Sequence, residues 1–175
     1  MLLSISLRFE NYVHMRRLKW LLILINSIGL LFFFNRSVWS KEMLLQRGQL
    51  ILLELAPVDP RSLMQGDYMS LRYAITSDIN ADSVPPRGFI IVKLRPNGVA
   101  ERMRVQDRNT PLHPTEYAIP YTAGSWTINL GAESFFFQEG EADKFAEAKY
   151  GAVKTDKEGD LVLIGLYNEQ LKQIK

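Results

Sequence analysis

The sequence contains no cysteine and only two histidines in 175 residues. The first absence excludes disulfides, thiolate nucleophiles and cysteine-ligated zinc or iron–sulfur sites. It does not fix a compartment, because extracytoplasmic proteins also lack cysteine. The second absence leaves little material for metal ligation. His14 precedes a long apolar run, and His113 stands alone in "PLHPTEY". No Walker loop and no GxGxxG fingerprint occurs. The acidic string "DKEGD" (156–160) lacks EF-hand spacing and reads as a hairpin turn. No pair among the carboxylates is singled out by spacing. Neither a cofactor nor a metal is therefore expected. A Ser-His-Asp triad through His113 has no local support, but triads assemble in space, so an enzyme reading stays open.

Charge of one sign is also scarce once the chain is divided. Residues 1–40 carry five Lys/Arg against one Glu, and residues 41–175 carry sixteen Lys/Arg against eighteen Asp/Glu. The formal charge of +2 thus belongs to the N-terminus. The main domain has no basic excess for nucleic acid, and none is expected as a partner.

What the N-terminus does have is a long hydrophobic run, "WLLILINSIGLLFFFNRSVW", from Trp20 to Trp39. Twenty helical residues span about 30 Å, the hydrocarbon thickness of a bilayer. Trp20 and Trp39 stand where aromatic belts lie, and Arg16, Arg17 and Lys19 precede the run. That charge flank favours N-terminus in and C-terminus out. Asn26, Ser27 and Gly29 interrupt the apolar centre. A cleaved signal peptide, with "VWS" before Lys41, is the rival reading. The expected organisation is a cytoplasmic segment at 1–19, a transmembrane anchor at 20–39 and an extracytoplasmic domain at 40–175, in a bacterial cytoplasmic membrane facing the periplasm.

Beyond residue 48 the hydrophobic pattern has period two. "QLILLEL" (49–55), "DYMSLRYAI" (67–75), "WTINL" (126–130) and "LVLIGLY" (161–167) read as strands. "FIIVKLRP" and "VAERMRV" flank Asn97-Gly98, a strong hairpin signal. Only "EADKFAEAKY" (141–150) reads as helix, with Gly151 as its stop. The fold class is mainly β, a small barrel or sandwich with one short helix, behind a single N-terminal transmembrane helix. A two-residue turn would place Lys93 opposite Arg102 and Arg95 opposite Ala100. One hairpin face would carry Ile90, Val92, Leu94, Val99, Met103 and Val105, with Glu101 the exception. The other would carry Ile91, Lys93, Arg95, Arg102 and Arg104. That basic face is either a solvated surface or a contact for anionic lipid or an acidic partner.

"PVDPRSLMQGDYMSLRY" (57–73) concentrates turn and strand signals. Pro57 and Pro60 exclude a helix or a central strand. Asp59 favours a turn at Asp59-Pro60, and Gly66-Asp67 marks a second. Asp67 would fix that turn or pair with Arg61 or Arg72. Tyr68 would leave on the face opposite Leu71 and Tyr73. The stretch is either a rigid connection between strands or a binding loop.

Pro57-Val58-Asp59-Pro60-Arg61 followed by Gly66-Asp67-Tyr68-x-x-Leu71-x-Tyr73 resembles the signature of the GDYXXLXY family of bacterial membrane-anchored proteins. "FFFQEGEADKFAEAKYGAVKTDKEGDLVLIGL" (135–166) resembles that family's C-terminal portion. The resemblance spans roughly residues 45–167. It implies an envelope protein, often encoded beside a multi-pass membrane protein, and supplies no catalytic residues. Asp59, Arg61, Gly66, Asp67, Tyr68, Leu71 and Tyr73 would form or hold the binding motif. "SLMQGDYMSL" is also similar to the stretch after the catalytic serine of type I signal peptidases. There Ser62-Leu63 match Thr-Leu and Gly66-Asp67 match Gly-Asp. The nucleophile would fall on Val58, which cannot attack a carbonyl. The reading that results is an anchored binding or accessory domain partnering a multi-pass membrane protein. The alternative is an envelope hydrolase, or a degenerate relative of the signal peptidases. Its mark would be a hydroxyl of Ser62, Ser125 or Ser134 within reach of His113 or a buried lysine.

Overall fold

The computed structural model describes residues 3–56, 64–65, 68–108, 110–156 and 159–175, with the backbone alone at 3–18 and 64–65. The chain divides into two compact units, Met1–Glu42 and Met43–Lys175. Helix α1 runs unbroken over Leu3–Arg47, past the expected boundary at residue 40. Its stretch Lys19–Arg47, which contains an 18-residue window of mean hydropathy 1.8, is the one helix among the described residues long and apolar enough to cross a membrane. Every large apolar side chain from Trp20 to Trp39 is exposed. After Gly48 the chain enters β1 directly.

The second unit is built from antiparallel strands. β1 is Gln49–Glu54, β2 Met64–Gln65, β3 Tyr68–Ser70, β4 Arg87–Leu94 and β5 Ala100–Gln106. β6 is Glu116–Ala123, β7 Ile128–Asn129, β8 Ser134–Phe136, β9 Tyr150–Thr155 and β10 Leu161–Tyr167. They form three sheets, ordered β1-β9-β10, β2-β3-β8 and β5-β4-β6-β7. An isolated bridge between Leu52 and Val99 links the first sheet to the third, and one between Leu55 and Tyr73 links β1 to the chain after β3. All three sheets share one core. Ile51, Leu53 and Val153 meet Met69 from the second sheet, Leu71 and Tyr73 from the chain just after it, and Ile90, Val92 and Ile119 from the third. Fully burying one such aliphatic side chain is worth about 1.5–3 kcal/mol. A smaller cluster of Leu52, Val99 and Ala152 closes the other face of the first sheet.

The mainly β class with one short helix is what the period-two pattern implies. Several details differ. The helix expected at 141–150 is a single turn, α2 (Ala142–Phe145), which places Phe145 in the core. Tyr150 and Gly151 begin β9 rather than closing a helix. As the central strand of its sheet, β9 is buried on both faces and shows no alternation. Strand pairing in "DYMSLRYAI" stops at Ser70, and Ala74–Thr76 form a 3₁₀ turn. "WTINL" contributes only Ile128–Asn129. β6 escapes a pattern reading because Pro120 stands inside it. The proline is tolerated because β7 pairs only with Thr122 and Ala123, leaving β6 an edge at Pro120.

The β4–β5 hairpin has a different register from the expected one. Arg95 N–H donates to Val99 at 2.9 Å, and Gly98 N–H donates to Arg95 at 2.9 Å. The loop is therefore three residues, Pro96-Asn97-Gly98, with Gly98 at φ +82°. That conformation suits glycine and inserts one residue beyond a two-residue turn. Lys93 faces Glu101, and Val92 faces Arg102. A register shift between Ile91 and Val92 brings Ile91 opposite Arg104. Met103, between them, is 53% exposed rather than part of an apolar face.

Candidate functional site

The described half of the 57–73 motif is built on alternation. Met69, Leu71, Tyr73 and Ile75 are buried, whereas Ser70 and Arg72 are exposed. Leu71 N–H donates to the Glu133 carbonyl at 2.6 Å, and Ala56 N–H donates to the Arg72 carbonyl at 2.8 Å. Tyr73, 1% exposed, sends its hydroxyl across the core to the Ala132 carbonyl. Burial pushes its phenol pKa up, and the Glu133 charge adds to the shift. Its ring lies against Gly151, where an added Cβ would come within 2.9 Å of the ring edge. Glycine at 151 is thus required by close approach. Tyr68 meets Phe136 with ring centroids 5.8 Å apart. Leu71 and Tyr73 are core residues that pin this strand to the 130–133 loop and to β9. Asp59, Arg61, Ser62, Gly66 and Asp67 lie outside the described residues.

The same pins shape a cleft of about 590 Å³ between the motif strand and the 126–133 segment. Ser70, Arg72, Thr76, Ser77, Trp126, Asn129 and Glu133 line it, over a floor that includes Leu71, Tyr73 and Ile128. Trp126 sits in the turn between β6 and β7, closed by Gly124 N–H donating to Thr127 at 2.8 Å. Its side chain is 90% exposed. The Glu133 carboxylate accepts from the N–H groups of Leu130 and, at 3.0 Å, Gly131. Thr76 and Ser77 donate to the Tyr73 carbonyl at 2.9 and 3.4 Å, leaving hydroxyl lone pairs to accept. Among the described residues the Arg72 guanidinium has no hydrogen bond or ion pair. Sequence patterning missed Trp126, Asn129 and Glu133 as a group. The one legible signal was an aromatic placed directly after the turn pair Gly124-Ser125.

The four basic residues of the hairpin are interleaved with acids. Arg95 Nε lies 3.2 Å from Glu101. Arg102 donates to the Ile75 carbonyl at 2.7 Å and approaches Asp78 at 3.7 Å. Arg104 grips Glu116 with two bonds of 2.6 and 2.8 Å and donates to the Pro111 carbonyl at 3.3 Å. Lys93, exposed, is flanked in the sheet by Glu101 on one side and Glu116 on the other. The bond from Arg104, then that from His113 N–H at 3.0 Å, holds the Glu116 carboxyl down to about 2. The clean separation of apolar and basic faces expected from a two-residue turn is therefore replaced by a charge-alternating surface. Such pairing leaves little free positive charge for an anionic surface.

Among the described residues neither Ser125 nor Ser134 hydrogen-bonds to His113 or to a lysine. His113 makes its bond through its backbone N–H. No group of three or more His, Asp or Glu side chains among the described residues is placed to hold a metal ion.

A family model described as GDYXXLXY protein matches residues 30–166. No curated protein and no solved structure matches the chain.

Proposed function

The chain belongs to the GDYXXLXY family, and we propose that it is a membrane-anchored accessory subunit whose extracytoplasmic β domain works beside a multi-pass membrane protein. The observation that carries this reading is the apolar stretch of α1. Every large apolar side chain from Trp20 to Trp39 is exposed, while the β unit closes a core of its own. A soluble protein does not leave so large an apolar surface uncovered. Bilayer thickness and the flanking Arg16, Arg17 and Lys19 favour an anchor whose C-terminal domain lies in the periplasm. Asn26 gives the anchor a reason to pair. Its carboxamide is exposed within the apolar run and has no hydrogen-bond partner among the described residues. In hydrocarbon that group gains by bonding to a polar group on another transmembrane helix.

The absence of cysteine makes a direct test simple, because an introduced cysteine is the only thiol. Ser125→Cys is expected to react with a membrane-impermeant maleimide in intact cells, and Ser4→Cys only after lysis. The reverse pattern, or release of the β domain from membranes by salt, overturns the proposed anchoring.

A further inference from the structure

The geometry points to the cleft between the motif strand and the 126–133 segment as a binding site for an acidic saccharide, a sugar bearing a carboxylate. This goes beyond the anchoring and partner reading and does not depend on it. The cleft holds about 590 Å³, within the range of small-ligand sites. Its apolar side chains Leu71, Tyr73 and Ile128 are already spent in the core. The exposed lining is mixed, about half polar: Ser70, Thr76, Ser77 and Asn129 bring hydroxyls and a carboxamide, beside apolar surface that includes Ile79 and Trp126. A mixed lining of this kind suits a ligand that is itself amphipathic, with hydroxyl and amide groups set around an apolar ring face.

Trp126 supplies the complement. With 90% of its surface open, its indole face is free at the rim. A sugar ring offers a flat C–H face to an aromatic plane while its hydroxyls reach sideways to hydrogen-bonding groups. Arg72 then selects charge. Its guanidinium lines the cleft without a carboxylate partner among the described residues. A carboxylate matches the guanidinium fork with two parallel bonds. Glu133, fixed by two backbone N–H groups, keeps lone pairs that accept from a sugar hydroxyl. Its charge opposes a doubly charged phosphate more than a carboxylate monoanion.

Calorimetry on the full-length protein in lipid nanodiscs tests the assignment, with sugar-based detergents kept out. The probes are the disaccharide of N-acetylglucosamine and N-acetylmuramic acid, which bears a carboxylate, and neutral diacetylchitobiose. The acidic disaccharide is expected to saturate and to bind more tightly than the neutral one. Trp126→Ala is expected to weaken it about tenfold or more. Arg72→Gln is expected to abolish the preference for the acidic sugar. Both side chains are exposed, so both variants are expected to melt with the wild type. No saturable binding of either sugar, or full affinity in Trp126→Ala, overturns the site. Equal affinity of the wild type for the two sugars overturns the role given to Arg72. None of these results bears on capture of a membrane partner, which is read by a different experiment.

Discussion

Tyr73 ties three parts of the domain together through one side chain. Its hydroxyl satisfies the Ala132 carbonyl, and its ring fills the space that Gly151 leaves. Tyr73→Phe keeps the ring and orphans a buried carbonyl, which costs about 1–2 kcal/mol. A fall of a few degrees in melting temperature is expected. Gly151→Ala forces a methyl to within 2.9 Å of the ring, and a loss of about 1–3 kcal/mol is expected. A melting temperature unchanged in both variants would remove the pin. Glu116 gives a pH signature. Its folded pKa, about 2, lies below its ordinary 4.5. A depressed carboxyl stabilises the fold above its unfolded pKa, and that contribution disappears as pH falls through the folded one. Melting temperature is therefore expected to drop from about pH 4.5 down to about pH 2. Glu116→Gln should show a shallower drop across that window, in melts run at a series of acid pH values. Parallel curves would show that the Arg104 pair contributes nothing.

At the scale of elements, the apolar stretch of α1 carries the functional reading and Asn26 its finest detail. Asn26→Leu removes a polar group from the apolar run without touching the β unit. Capture of a membrane partner is expected to fall about threefold to tenfold, while the melt of the domain stays unchanged. Undiminished capture would free Asn26 of that role. The elements also show which signals were legible. The buried face Met69, Leu71, Tyr73 and Ile75 followed from alternation alone, although the strand itself covers only Tyr68–Ser70. Side-chain period survives where the regular ladder gives way to single backbone bonds and one bridge. The β4–β5 register did not follow, because Asn97-Gly98 closes both two- and three-residue loops and one residue re-pairs every charge. β9 hid because a strand covered on both faces has no period. The cleft was half legible. Its motif wall is local in sequence, whereas its other wall comes from a turn more than fifty residues away. No local pattern brings Trp126 to Arg72.

At the scale of the whole molecule, two units divide the work. The N-terminal helix is long and apolar enough to cross a membrane, and the β domain has a closed core and a cleft of its own. Only Gly48 separates the helix from β1. The central claim is that this chain is the accessory subunit of a multi-pass membrane protein. Its most direct test is affinity purification of the full-length, C-terminally tagged protein in mild detergent, with mass spectrometry of what co-purifies. A multi-pass membrane protein in stoichiometric amount is the expected result. A clean monomer or homodimer, with no membrane partner at any detergent strength, would contradict it.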